Sequence, residues 1–412
     1  MFKRVVVTGI GAVSPIGLNK KQFWDHLLAG QQGIVSTSEA WAKKLGCHLL
    51  SPIRDFKPEE FWPKKQVRQM DRFSQFALLA AMEALTNANF TRQPSDLGLY
   101  MGTSLGGVSS FYDNTVKGLR KGFKRVHPLL LPMMMPNMAA GNIAEHLSIK
   151  GSVQTLSTSC CAANDAIGHA YQAIRQGEAV AMLAGASEAP INETIIAGFM
   201  NLQALTPSAS PSRGLIPFDQ ERQGFVMGEG SGMLVLEEYD HAKARGAHIY
   251  AELAGYGASN DAYHLTAPDP SANGALASLT AALQTGGVSI SQLGYINAHG
   301  TGTPLNDRLE TVAFKKLLGE YFDQVKISSI KASIGHLLGA GGALEAIATI
   351  LALDHQVLPQ TINYKKPDPD CCADNLVKNQ PLAAEVEVAL SHSLGFGGQN
   401  SSLCFKRIDM NG

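Results

Sequence analysis

The sequence predicts an α/β protein made of two similar halves, and three observations carry that prediction. Strand-like runs alternate with helix-like runs along all 412 residues, the pattern that lays helices against sheets. The order of strands and helices starts again near residue 250, beside Arg245 and Gly246, which divides the chain into 1–249 and 250–412. Finally, 45% hydrophobic against 17% charged residues provides ample core and excludes a disordered or fibrous chain.

In the first half the predicted strands are 4–8, 97–102, 153–157, 179–184 and 233–238. In the second they are 250–255, 294–297, 325–330, 387–390 and 402–406. The halves share this pattern without evident identity. The first run, from Val5 to Gly17, superficially imitates a secretory signal, but Thr8, Ser14 and Pro15 interrupt it and no clean cleavage site follows, so it reads as a core strand with its turn. The stretch 54–149 is longer than a crossover needs and reads as inserted helices and loops around the strand at 97–102, with a helix over 77–88. After the strand at 153–157, Ala163, Ala166, Ile167, Ala170, Ala173 and Ile174 recur at helical spacing, and Gly177 supplies the stop.

A formal net charge of −1 gives no global reason to expect nucleic acid or membrane, so any electrostatic partner must be read by a local patch. No run approaches the roughly 18 apolar residues of a membrane span. The cysteines (Cys47, Cys160, Cys161, Cys371, Cys372 and Cys404) include two adjacent pairs and no Cys-x-x-Cys. That spacing supports neither a zinc site nor a disulfide framework and points to a reducing cytoplasm. Gly9-Ile10-Gly11 lacks the third glycine and later acidic residue of a dinucleotide loop. No cofactor and no metal are therefore expected.

The chemistry gathers at three turns. Cys160 sits where the strand at 153–157 hands over to a helix, facing free N–H groups and the positive end of the helix dipole. That position is expected to lower the thiol pKa from its ordinary value of about 8.5. His299, in Asn297-Ala298-His299-Gly300-Thr301-Gly302-Thr303-Pro304, and His336, in Lys331-Ala332-Ser333-Ile334-Gly335-His336, each follow a strand and sit in a glycine-rich turn, so both imidazoles can project from strand ends. A cysteine is often only a small buried apolar residue; for Cys160 the junction and the two histidines argue otherwise. Cys161 is expected to point away along the helix and pack.

These residues resemble the elongating β-ketoacyl-[acyl-carrier-protein] synthases, and are most similar to the synthase II group of bacterial fatty-acid synthesis. The resemblance runs from Val5-Val6-Val7-Thr8-Gly9-Ile10-Gly11 to Gly395-Phe396-Gly397-Gly398-Gln399-Asn400. Between them stand the Cys160 turn, Phe218-Asp219 with Gly224-Phe225-Val226-Met227-Gly228-Glu229-Gly230, the run 297–303, and Lys331 to His336. It implies a thiolase-like fold, duplicated βαβαβαββ halves in five α/β/α/β/α layers, with the Cys turn from one half and both His turns from the other. It implies decarboxylative condensation of an acyl-enzyme with malonyl-[acyl-carrier-protein]. Cys160 would carry the acyl group, and the backbone N–H groups of Cys160 and Phe396 would hold its oxyanion. Neutral His299 and His336 would bind the malonyl enolate. Lys331 would be buried against Glu345, Thr301 and Thr303 would bind the pantetheine arm, and Leu105, Leu130 and Phe199 would contact substrate.

The same resemblance implies a homodimer, with the segment around Met133-Met134-Met135 lining the partner's pocket, although that run equally fits plain core. Acyl carrier protein would dock on Lys65, Arg68, Lys124 and Arg125, the second pair from the partner subunit. Asp307 and Glu310, at the start of the next helix, read as favourable N-terminal charges. The run Cys161-Ala162-Ala163-Asn164 and Ser159 depart from the family's usual residues and bear on substrate preference. A polyketide-type ketosynthase and a non-catalytic scaffold homologue are the alternatives.

Overall fold

The computed structural model describes residues 2–90 and 97–408. Five strands of the first half are β1 (Val5–Val13), β2 (Gly98–Gly102), β3 (Val153–Leu156), β4 (Ala181–Glu188) and β5 (Gly230–Glu238). Five more follow, β6 (Ala251–Asn260), β7 (Leu293–Asn297), β8 (Lys326–Ser328), β9 (Val388–Gly395) and β10 (Gln399–Lys406). The first five lie in the order β3-β2-β4-β5-β1 and the second five in the order β8-β7-β9-β10-β6. Both are third-second-fourth-fifth-first, with the fifth strand antiparallel to its neighbours and the second, third and fourth parallel. The two arrays meet where Val6 and Val7 of β1 pair with Glu252 and Ala251 of β6.

Helices cover these sheets in three layers. Outside the first lie α1 (Arg72–Asn87) and, after α2 (Val108–Lys121) and α3 (Leu130–Met134), α4 (Met138–Leu147). Between the sheets run α5 (Ala162–Gln176) and, later in the chain, α8 (Gly341–His355). Outside the second lie α6 (Asn273–Thr285) and α7 (Pro304–Leu318). Thus β1 and β4 are buried along their whole length, as strands covered on both faces must be. The sequence of α8 is apolar nearly all round and Gly341 through Leu353 is buried, which suits a helix with a sheet on either side. The result is the five-layer thiolase-like arrangement the motifs implied.

Element limits differ from expectation in instructive places. Helix α1 begins at Arg72 rather than 77 because Asp71 caps it, its side chain accepting from the Phe73 N–H at 3.0 Å. Strands β4 and β9 run on past their predicted ends toward the site. Their extensions include Ser187, Glu188, Ser391, His392 and Ser393, polar residues that are nonetheless fully buried. Conversely, the strand expected over 325–330 stops at Ser328, because Lys331–Ile334 forms a short helix. Helix α5 ends at Gly177 as predicted, with φ +83°.

Candidate active site

Cys160 lies in a 3-10 turn, Ser159–Cys161, between β3 and α5. Ser159 before it has φ +53°, a left-handed conformation that only close surroundings keep in a non-glycine residue. The turn sends the two thiols apart. Cys161 is buried and its Sγ–H reaches the carbonyls of Ser393 and Gln399 at 3.2 and 3.4 Å, so it packs, as expected. Cys160 Sγ instead meets His336 Nε2 at 3.2 Å. The expected acidification is not what the site shows: burial pushes the Cys160 thiol up to about 12, Lys331 opposing this only in part. A helix terminus acts within its first turn, and here desolvation outweighs it. The resting group is the thiol.

His299 lies two residues beyond the end of β7 in a turn held by two buried carboxyl groups. Glu310 accepts from the N–H groups of His299 and Gly300 at 2.6 and 2.9 Å. Asp307 accepts from those of Gly302 and Phe218 at 3.1 and 2.8 Å. Gly300 and Gly302 both have positive φ, +43° and +74°. Asp307 and Glu310 are therefore fully buried supports of the His299 turn, more than the favourable N-terminal charges expected. Burial pushes Glu310 up to about 8. The overlooked signal was periodic: Asp307, Glu310, Thr311 and Phe314 share one inward stripe of α7.

Lys331, fully buried, forms an ion pair with the equally buried Glu345 and lies 3.3 Å from His299 Nδ1. An ammonium can only donate, so Nδ1 accepts and the ring proton of His299 sits on Nε2. His336 is fixed by its backbone, its N–H donating to Val226 O at 2.8 Å and its C=O accepting from Gly228 N–H at 2.9 Å. Its Nδ1 is buried without a partner, which favours keeping the proton on Nε2, where the sulfur accepts it. Burial first and Lys331 second hold both imidazoles well below the ordinary histidine range. Two neutral rings, 5.4 Å apart and nearly perpendicular, thus stand beside one thiol. Their ligand atoms and Cys160 Sγ lie within 4.8 Å of one another, a donor set of zinc type. The Lys331 charge beside His299 makes a cation there costly.

These groups form one wall of a cavity of about 360 Å³ that Leu105, Phe199, Thr301, Thr303 and Phe396 also line. Leu130 does not join them: it opens α3 and is half-buried. Thr301 and Thr303 hydroxyls lie 3.1 Å apart. Phe396 stacks on Phe199 with centroids 6.2 Å apart. Phe199 meets Phe225 edge-on, and Phe225 meets His336 likewise. Gly395 passes so near the Cys160 turn that an added Cβ would lie 3.2 Å from Cys160 N. Glu188, at the end of β4, accepts from the N–H groups of Ser104, Leu105 and Gly339, tying two walls together; burial pushes it up to about 7. Lys65, on the short helix Lys64–Val67, Arg68 at its end, and Lys124 and Arg125 in the turn Phe123–Arg125 are exposed, outside the cavity.

Comparison with known proteins agrees with this geometry. The chain is 42% identical over 409 residues, 98% of each chain, to the 3-oxoacyl-[acyl-carrier-protein] synthase 2 of a Synechocystis species. It is 40% identical to the Staphylococcus aureus protein of the same name, covering 99% of each. Among solved structures, a beta-ketoacyl synthase from Burkholderia phymatum superposes with a TM-score of 0.91 at 34% identity, over 99% of this chain and 100% of that one. The ishigamide ketosynthase/chain length factor does so at 0.92 and 32%, with the same coverage. Residues 2–242 match the beta-ketoacyl synthase N-terminal domain and residues 250–365 the C-terminal domain, and the chain belongs to the beta-ketoacyl synthase family.

Proposed function

We propose that this chain is a 3-oxoacyl-[acyl-carrier-protein] synthase that elongates fatty acids by decarboxylative condensation. The observation that carries the reading is the pair of neutral imidazoles, each with its proton on Nε2, facing the same cavity as a single reachable thiol. Cys160 Sγ attacks the carbonyl of an acyl thioester on the carrier. The C–S bond to the carrier breaks, and the carrier thiol leaves with the proton the cysteine gave up. The backbone N–H groups of Cys160 and Phe396 receive the oxyanion.

Malonyl carrier then loses CO2. The electron pair of the broken C–C bond becomes an enolate whose oxygen takes hydrogen bonds from His299 and from His336, the latter released from the sulfur by acylation. Its α-carbon attacks the acyl-Cys160 thioester, forming the new C–C bond and breaking the acyl C–S bond; the sulfur leaves as thiolate and takes a proton from solvent entering the cavity to restore the thiol. Thr301 and Thr303 hold the pantetheine arm, and Leu105 and Phe199 receive the acyl chain. The division at 250 assigns the nucleophile to 1–249 and both histidines to 250–412.

Acyl carrier protein docks on Lys65 and Arg68 together with Lys124 and Arg125 of a second subunit. The homodimer is supported by the outer strand β3, where Val153 is 39% exposed, and by exposed Phe111, Leu119, Leu131 and Met135 nearby in sequence. No described helix is long and apolar enough to cross a membrane, and cysteines without metal or disulfide spacing support a reducing cytoplasm. The test is incubation with labelled acyl carrier and then malonyl carrier. An acyl group on Cys160, followed by equal amounts of CO2 and 3-oxoacyl carrier, is expected. Release of free acid without condensation would overturn the reading. Sedimentation as a fully active monomer would overturn the dimer.

A further inference from the structure

The turn that aims Cys160 rests on a second group of side chains away from the histidines. Thr158 Oγ1 donates to Asp165 Oδ2 at 2.5 Å, and Tyr256 Oη donates to Asp165 Oδ1 at 2.9 Å. Each carboxylate oxygen therefore holds one hydroxyl. Asp165 and Tyr256 are 6% and 8% exposed, so water competes little for these bonds. The three residues come from three places: the approach to the nucleophile, the first turn of α5, and β6 in the other half. Tyr256 can lie against α5 only because Gly168 lacks a side chain, since an added Cβ would stand 2.3 Å from the tyrosine ring.

This brace is attached where the backbone is least comfortable. Thr158 has φ −119° and ψ 46°, and Ser159 turns left-handed at φ +53°. Such a conformation persists when the surroundings over-determine it. On its other side the turn meets Gly395, whose added Cβ would lie 3.2 Å from Thr158 O, Ser159 Cβ and Cys160 N. The turn is thus held between the oxyanion loop and the Asp165 brace. The decarboxylating histidines have separate supports in Glu310, Lys331, Val226 and Gly228.

We propose that Asp165, with Thr158 and Tyr256, forms a positioning unit that holds the Ser159 turn in register and so governs acylation of Cys160 without governing malonyl decarboxylation. The proposal rests on the reading of Cys160 as the nucleophile.

The experiment compares full-length Thr158→Val, Thr158→Ser, Tyr256→Phe and Asp165→Asn with the unaltered protein. Three rates are measured: single-turnover transfer from acyl carrier, with the acylated residue mapped by mass; labelling of Cys160 by iodoacetamide; and CO2 release from malonyl carrier. Thr158→Val keeps the side-chain shape and loses the hydroxyl. It is expected to slow acylation by about ten- to a hundredfold, as small misplacements of a reacting atom do. CO2 release should be unchanged, and Thr158→Ser should restore acylation. Should Asp165→Asn fail to fold, Thr158→Val and Tyr256→Phe decide the matter, each removing one hydroxyl. Acylation at the unaltered rate in both of these variants, or equal loss of both half-reactions, overturns the proposal. An acyl group mapped to another residue in the unaltered protein would instead overturn the nucleophile assignment itself.

Discussion

Replacing Lys331 by methionine tests the electrostatics of the site at its centre. Methionine keeps most of the stem and removes the charge that pairs with Glu345 and the donor that lies 3.3 Å from His299 Nδ1. Lys331 is also the group that opposes the upward push of burial on Glu345. Removing one member of a buried pair typically costs about 3–5 kcal/mol, a large share of a domain's stability of about 5–15 kcal/mol. Protonation of Glu345 would limit the loss, and Lys331→Met with Glu345→Gln, which leaves no unpaired charge, should recover much of it. Activity should not recover, because His299 no longer has a donor fixing its proton on Nε2. The loss of one preorganised oxyanion donor corresponds to about a hundred- to a thousandfold in rate.

The pH dependence follows from the same contact. In the unaltered protein burial and then Lys331 hold His299 well below the ordinary imidazole range, which favours its neutral form near neutral pH. Without Lys331 one lowering cause is gone. The His299 pKa rises, imidazolium forms first on the acid side, and decarboxylation should fall as pH is lowered. The assay is CO2 release from malonyl carrier against pH, with thermal unfolding in parallel. Decarboxylation by Lys331→Met at the unaltered rate, with the same acid limb, would refute the reasoning.

Three further outcomes are expected. Cys160→Ala should form no acyl-enzyme yet still release CO2 from malonyl carrier, because His299 and His336 keep their own supports; an acyl group on Cys161 in this variant would reassign the nucleophile. Because burial pushes the Cys160 thiol up to about 12, its labelling by iodoacetamide should keep rising beyond about pH 9.5, where an ordinary thiol of pKa about 8.5 is mostly ionised and levels off; a plateau at or below that pH would contradict the thiol resting state. Reversing Lys65, Arg68, Lys124 or Arg125 to glutamate should raise KM for carrier-bound substrate, more so at low salt, and spare turnover of a free pantetheine thioester; equal losses on both substrates would remove these residues from the docking surface.

The Cys160, His299 and His336 turns were legible because the proposed chemistry needs unusual residues at unusual places. A cysteine at a strand-to-helix junction and histidines in glycine-rich turns stand out from a core pattern, and the repeated strand order gave the two halves, while the five layers came from the family resemblance. The supports were not legible for the opposite reason. Asp307, Glu310 and Asp165 are acidic residues near helix starts, where solvated charges are ordinary, and only the fold shows that each is buried against N–H or O–H donors. Ser391, His392 and Ser393 hid the end of β9 in the same way, since polar residues break the apolar pattern by which a buried strand is recognised. The Cys160 pKa was misjudged because a helix terminus can be inferred from sequence, whereas the depth of burial that overrides it cannot.

Cys160 and His336 meet across 176 positions of chain, and that distance has a consequence for how the protein is made. Domains fold as the chain emerges, the earlier part first. The residues of the Cys160 turn are therefore made before Tyr256 and Gly395, which brace it, and before the histidines that cover it. In that interval the thiol lacks the surroundings that raise its pKa, and oxidation follows thiolate character and exposure. Docking of the later strands closes this window in the same event that creates the enzyme. In the assembled protein Cys160 still lines the cavity, so its raised thiol pKa, not exclusion, is what limits oxidation there.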